Sequence, residues 1–170
     1  EVISNETDFI ESEVYKNSLN VINRNSRILY YDCTNYFFEI EQAEGLKQYG
    51  KSKEHRQSPI VQMGLFMDGN GIPLAFNITS GNTNEQTTLK PLEEQIMRDF
   101  EMSKFVVCTD AGLASVSNRK FNNRQSRSFI VTQSLKKIKK HLQEWALSKD
   151  GWHTLGSKKE MNLNNLTEED

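Results

Sequence analysis

The sequence predicts a mixed α/β fold: a five-stranded sheet with an antiparallel meander of strands one to three, then parallel strands four and five, flanked by helices. Short apolar runs of strand length alternate with stretches of helical periodicity along the chain. An Asp-Gly-Asn-Gly turn at residues 68–71 joins two of these runs as a hairpin. After the hairpin, the order is helix, strand, short helix, strand and helix.

Length and composition indicate one soluble domain. A chain of 170 residues can bury a sizeable core but is short for two full domains. No apolar run approaches the roughly 20 residues of a membrane helix, and residues 1–13 are acidic, unlike a signal peptide. The two cysteines, Cys33 and Cys108, have no metal-site spacing and are predicted to be reduced thiols in the core. We therefore expect a cytoplasmic location and no membrane contact.

Charge is distributed unevenly along the chain. The net charge is −2, but residues 14–159 contain all 21 basic residues and only 14 of the acids, a net charge of +7. Such an interior suits a polyanionic partner, although a solvated surface explains it equally well.

The first strand carries the most informative acid. Residues 1–25 have apolar side chains at roughly helical spacing and predict one helix leading into the core. Residues 27–34 follow as a buried strand, and Asp32 comes right after its apolar run. A buried carboxylate is costly without a hydrogen-bond partner, a cation or a metal ion. The residues alone leave these three possibilities open.

A basic loop and the hairpin come next. Residues 39–58 are polar and predict a loop with Lys51, Lys53, His55 and Arg56, which either contacts phosphates or is merely solvated. Residues 59–68 and 72–79 predict strands two and three.

The remaining elements follow in order. A capping box at residues 83–86 predicts a helix with Leu89, Leu92, Ile96 and Phe100 on one face. Residues 104–109 predict strand four, which ends at Asp110. A short helix over residues 113–125 and a strand over residues 128–132 follow, and Ser134 is predicted to cap a last helix containing Lys136 and Lys137.

This order is that of a ribonuclease H-like core, in which strands one and four lie side by side in the sheet centre. Asp32 and Asp110 would then lie at neighbouring strand ends, where a bridging divalent cation relieves their repulsion. Mg²⁺ or Mn²⁺ prefers such oxygen ligands, and a pair of these ions can clamp the oxygens of phosphoryl transfer.

Several motifs together resemble the catalytic domain of bacterial insertion-sequence transposases with an Asp-Asp-Glu triad. They are YYDCTNYFFE around Asp32, YGKSK with His55 and Arg56, GIPLAF at residues 71–76, GNT at 81–83 and TDAGL at 109–113. The resemblance implies that Asp32 and Asp110 are the first two metal-binding acids. It also implies a two-metal site, transposon-end and target DNA as partners, and a homodimer in the synaptic complex. Lys51, Lys53, His55, Arg56, Lys136 and Lys137 are the candidate DNA contacts.

The sequence departs from this family in two places. The third acid, a Glu in a later Tyr/Arg/Glu/Lys helix motif, has no counterpart, so we expect it beyond residue 170 and expect the isolated chain to be inactive. Ala111 stands where the family often has Arg. We divide the chain into a helical lead-in at residues 1–26, a partial core at 27–147 and the start of a truncated insertion at 148–170.

Other functions remain open at this stage. A non-catalytic remnant that binds DNA or a partner needs the same fold, and another ribonuclease H-like nuclease would use the same acids. A doubly wound protein of the receiver-domain type is disfavoured by the antiparallel hairpin.

Overall fold

The computed structural model describes residues 2–124, 126–153 and 156–167, which form two compact units, one up to Thr132 and one from Gln133 onward. The helices of the first unit are α1 (Val2–Asn5), α2 (Thr7–Ser18), α3 (Leu89–Asp99) and α4 (Val116–Asn122). Its strands are β1 (Ile28–Phe37), β2 (Ile60–Asp68), β3 (Pro73–Ser80), β4 (Val106–Thr109) and β5 (Ser128–Val131).

The five strands form one sheet in the order β3-β2-β1-β4-β5. β1, β2 and β3 pair antiparallel, whereas β4 is parallel to both β1 and β5. This is the predicted ribonuclease H-like mixed sheet, and the predicted fold class is confirmed. β1 and β4 are neighbours at the sheet centre although the chain between them is long.

The core lies on one face of the sheet. Leu29 and Phe66 on the strands are fully buried and share a cluster with Leu92 and Ile96 of α3. Side chains alternate between the faces of a strand, so the intervening residues point the other way. On that opposite face Tyr30 is 42% exposed. Helices α2 and α3 therefore rigidify the sheet from one side.

The hairpin between β2 and β3 is fixed by its first turn residue. Both oxygens of the fully buried Asp68 are used: Oδ1 accepts hydrogen bonds from the backbone N–H groups of Asn70 and Ile72, at 2.9 Å each, and Oδ2 accepts one from Arg24 at 2.5 Å. Gly71 has φ +78°, a conformation that favours glycine. The hairpin predicted from the sequence is confirmed.

Several element predictions in this unit are wrong in their bounds. The strand predicted over residues 27–34 is Ile28–Phe37, and the short helix predicted over residues 113–125 is Val116–Asn122. The single helix predicted over residues 1–25 is two helices that end at Ser18. The helix predicted to start at the capping box starts later, at Leu89; Asn84 instead caps a short 3-10 helix, Glu85–Thr87, by accepting from the Gln86 N–H.

The second unit contains α5 (Lys140–Leu147) and a small hairpin of β6 (Trp152–His153) and β7 (Glu160–Met161). The helix predicted to begin at Ser134 is wrong at its start, because Leu135–Lys137 is a separate 3-10 turn. Among the described residues, none of the helices has both the length and the apolar character needed to cross a membrane.

Candidate active site

Asp32 and Asp110 lie just beyond the end of the parallel pairing between β1 and β4. The last aligned pair is Tyr30 with Cys108, and each acid lies two residues further along its strand or the chain that continues it. Two residues is one full period of a strand, so Asp32 faces the same side of the sheet as Tyr30. Adjacent strands are about 4.8 Å apart. Both acids therefore follow the same end of two neighbouring central strands.

Asp32 is not the buried charge that the sequence suggested. β1 continues past it to Phe37, and its side chain is 70% exposed because it alternates with the buried Tyr31 and Cys33. The expectation of a desolvated carboxylate at a strand tip is wrong. The acid is instead open to solvent and to ligands from the side opposite the core.

The Asp32 carboxylate has two neighbours. The backbone N–H of Cys33 donates a hydrogen bond to its Oδ1 at 2.8 Å, and the ammonium of Lys53 lies 3.8 Å from the same oxygen. Among the described residues, no side chain or N–H group donates to its second oxygen. One oxygen is thus oriented by the backbone and the other is available to a ligand.

The loop after β4 holds Asp110 in a similar way. The backbone N–H of Leu113 donates to its Oδ1 at 3.1 Å, so the carboxylate caps its own turn. Two side chains fix that turn: Gln86 donates to the carbonyl of Gly112 at 2.9 Å, and Asn118 donates to that of Leu113 at 2.9 Å. Asp110 is exposed and is carried by a well-anchored loop.

A buried polar cluster supports Asp32 from behind. The hydroxyls of Tyr31 and Thr88 share a hydrogen bond of 2.6 Å, and the thiol of Cys33 donates to the Tyr31 hydroxyl at 3.4 Å. Burial raises the pKa of both Tyr31 and Cys33, so these groups stay protonated at neutral pH. The prediction of a free core cysteine at position 33 is confirmed, and this thiol faces away from Asp32.

The predicted basic loop lies beside β1. Lys51, Lys53, His55 and Arg56 are all exposed. The guanidinium of Arg56 stacks 3.9 Å from the ring centre of Phe37, which is half-buried rather than a core residue. The loop is therefore docked on the strand that carries Asp32.

The other two predicted DNA contacts belong to the second unit. Lys136 and Lys137 lie in its 3-10 turn and are exposed. Of the predicted site residues, Lys53 lies 3.8 Å from Asp32, and Asp110 follows β4, the strand paired with the one that carries Asp32.

The sequence matches the family described as Transposase DDE domain over residues 34–169, most of the chain. The chain belongs to this transposase family. The match begins just after Asp32, so the family assignment does not rest on that acid. A comparison with curated proteins finds no significant match.

Solved transposase structures resemble the transposase domain weakly. A Mos1 transposase paired-end complex with the left transposon end is 15% identical with a TM-score of 0.40, and the alignment covers 74% of this chain and 40% of that one. A Mos1 mariner paired-end complex with Mn is 14% identical with a TM-score of 0.40, and the alignment covers 73% of this chain and 41% of that one. A piggyBac transposase synaptic complex with hairpin DNA is 13% identical with a TM-score of 0.40, and the alignment covers 67% of this chain and 26% of that one. The transposase domain thus spans less than half the length of these proteins.

The donor set of the transposase domain fits a divalent ion in part. Asp32 and Asp110 are exposed carboxylates that follow neighbouring strands, and carboxylate oxygens are hard ligands of the kind that Mg²⁺ and Mn²⁺ prefer. Within the described ranges, no three His, Cys, Asp or Glu side chains gather into a complete metal site. Ions of this kind commonly bind through one or two carboxylates, with water and phosphate oxygens as the other ligands.

Sequence reasoning missed two residues that shape this site. The side-chain NH₂ of Asn35 donates to the carbonyl of Lys51, and its side-chain oxygen accepts from the N–H of Lys53, both in the basic loop. Gly112 has no side chain and leaves space beside Asp110. The sequence signal that could have identified Asn35 is its position, as a polar residue three positions after Asp32 in a strand rich in aromatic residues. The Asn35 contacts join residues 16 and 18 positions apart in the chain, whereas Gly112 acts locally on Asp110.

Proposed function

We propose that this transposase domain is part of the catalytic core of an enzyme that cuts DNA and transfers the cut strand, with Asp32 and Asp110 as its first two metal-binding acids. The register of β1 and β4 carries the proposal, since the two acids extend the same pair of strands beyond Tyr30 and Cys108. A family match over residues 34–169 supports the DNA substrate.

The chain's own residues would bind and orient the ion. Asp32 and Asp110 each present one oxygen with no donor among the described residues, and the backbone N–H groups of Cys33 and Leu113 fix the other oxygen. When bound, Mg²⁺ or Mn²⁺ supplies positive charge to the attacking and leaving oxygens of phosphoryl transfer.

The exposed basic residues would hold DNA through its phosphates. The basic loop, which packs on β1, contains Lys51, His55 and Arg56, and the second unit contains Lys136 and Lys137. Contacts of this kind position the duplex without reading its sequence. In the whole protein, we propose that two copies act on transposon ends and target DNA, with a third acid completing the site.

Calorimetric titration with Mn²⁺ tests the acid assignment. We expect Asp32→Asn and Asp110→Asn each to weaken binding by about tenfold or more, since each removes an anionic ligand. Asp99→Asn, which changes an acid at the end of α3, is the matched control and leaves the affinity unchanged. Equal affinities in all four proteins would overturn the assignment.

A second candidate is a DNA-binding module without catalysis. The ion pair of Asp32 with Lys53 favours it, because a carboxylate already paired with an ammonium needs no metal. DNA binding that persists while Mn²⁺ binding is insensitive to both acid variants would support this candidate.

A further inference from the structure

Lys53, a predicted DNA contact, also forms an ion pair with Asp32. Its ammonium lies 3.8 Å from Asp32 Oδ1 and donates a hydrogen bond to the carbonyl oxygen of Cys33, the next residue of β1. The positive charge is thus held beside the carboxylate that a metal ion would use.

The backbone of the loop fixes this contact. The N–H of Lys53 donates to the side-chain oxygen of Asn35 at 3.3 Å, and the Asn35 amide donates to the carbonyl of Lys51 at 3.4 Å. Asn35 lies three residues after Asp32 on β1. Its side-chain amide therefore holds the backbone of Lys53 close to the Asp32 carboxylate. The ion pair is therefore part of how the loop docks.

The pair is nevertheless easy to exchange. The side chains of Lys53 and Asp32 are 47% and 70% exposed, and exposed ion pairs contribute little net stability. A divalent ion carries twice the charge of an ammonium and can displace it. A flexible four-carbon stem then lets the ammonium move to a nearby phosphate.

We propose that Lys53 is a positioning residue that serves as the counter-ion of Asp32 before metal arrives, competes with the divalent ion for that carboxylate, and then turns to the DNA backbone. The proposal rests on the proposed function, because it takes Asp32 as a metal ligand. It assigns the basic loop a role in metal loading in addition to DNA contact.

The test compares Mn²⁺ affinity in wild-type protein and in Lys53→Met and Lys53→Arg. Removing the competing charge raises Mn²⁺ affinity by about three- to tenfold in Lys53→Met, whereas Lys53→Arg retains the charge and stays near the wild-type value. Lys47→Met is the matched control, since it removes a lysine of the same loop whose ammonium is paired with Glu44 at 2.7 Å. It leaves the affinity unchanged.

A double variant separates this proposal from the proposed function. In the Asp32→Asn background, Lys53→Met has no effect on metal affinity if the two side chains act on each other. Unchanged or weaker Mn²⁺ binding in the single Lys53→Met variant overturns the proposal while leaving the metal site intact. Mn²⁺ binding that is indifferent to Asp32→Asn overturns the proposed function itself. Where calorimetric heats are small, Tb³⁺ luminescence gives the same comparison with a more highly charged probe.

Discussion

Gly112 lies so close to the Asp110 carboxylate that a Cβ at position 112 would come within 3.3 Å of both of its oxygens. Such a contact is tighter than ordinary van der Waals packing. The glycine therefore leaves one side of the acid open, at the turn that Gln86 anchors through the Gly112 carbonyl.

Gly112→Ala is expected to weaken Mn²⁺ binding by roughly two- to tenfold, because the carboxylate must shift to make room for the methyl group. The chain folds normally, with a loss of about 1 kcal/mol or less in unfolding free energy, since the turn is exposed. Calorimetry and urea denaturation measure the two effects. In an Asp110→Asn background the alanine has no further effect on metal affinity, and an undiminished effect there would contradict this account.

Arg24 and Asp68 form the buried ion pair that fixes the segment before β1 to the β2–β3 hairpin. Arg24→Met is expected to lower the unfolding free energy by about 3–5 kcal/mol, because Asp68 stays buried without its cation. Arg98→Met breaks the exposed pair with Asp99 and costs at most about 1 kcal/mol. Urea denaturation distinguishes them, and equal losses would refute the structural role of the buried pair.

The same pair has a defined pH dependence. Burial alone would raise the pKa of Asp68, but hydrogen bonds from Arg24 and from two backbone N–H groups, together with the charge of Arg24, bring it below the ordinary value. A lowered pKa in the folded state means that the stabilisation is present at neutral pH and is lost as the pH falls through that value. Asp68→Asn removes this part of the acid sensitivity.

The pKa of Glu93 on α3 is shifted in the opposite direction to that of Asp68. It is fully buried, and burial raises its pKa to about 7 although Asn122 donates to it at 2.9 Å and Arg127 lies 3.3 Å away. The folded state then holds a proton that the unfolded state loses near pH 4.5, so this group lowers stability as the pH rises from about 4.5 to about 7. Thermal denaturation across this range should show the decline in wild-type protein but not in Glu93→Gln. Parallel curves for the two proteins would contradict the raised pKa.

Substitutions in the basic loop are expected to change both DNA affinity and its dependence on salt. Lys51→Gln and Arg56→Gln are each expected to weaken binding equally for unrelated sequences and to reduce the slope of log affinity against log salt by about one. Fluorescence anisotropy at several salt concentrations measures both quantities. Lys90→Gln, on α3 beside Glu94, is the control and keeps the wild-type slope. A sequence-selective loss would point to base contacts instead.

The sheet could be predicted from the sequence because its signals are local. Strand-length apolar runs and the turn at residues 68–71 define β2 and β3, and the same patterns locate β4 and β5 within a few residues. Once strand order is assumed, the adjacency of β1 and β4, the strands that lead to Asp32 and Asp110, follows from topology.

The sequence-based predictions are wrong where side-chain alternation or an interruption of the helix decides the outcome. Asp32 was expected to be buried because the run of apolar residues before it hides a two-residue alternation, in which Tyr31 and Cys33 face the core and Asp32 faces solvent. The helix expected from Ser134 starts only at Lys140, because the backbone of Ile138 and Lys139 is extended between the 3-10 turn and the helix.

The contacts of the basic loop could not be predicted. The attachment of the basic loop to Asn35, and with it the approach of Lys53 to Asp32, depends on the conformation of an irregular segment with no periodic signal. The domain boundaries at residues 26 and 147 stay a prediction.

The position of a bound Mn²⁺ ion tests whether Asp32 and Asp110 share a metal site. Anomalous diffraction from crystals soaked in Mn²⁺ locates the ion without reference to activity. If Asp32 and Asp110 are the first two metal-binding acids, one ion has oxygen ligands from both carboxylates, at about 2.1 Å from each. An ion bound away from both carboxylates would contradict it.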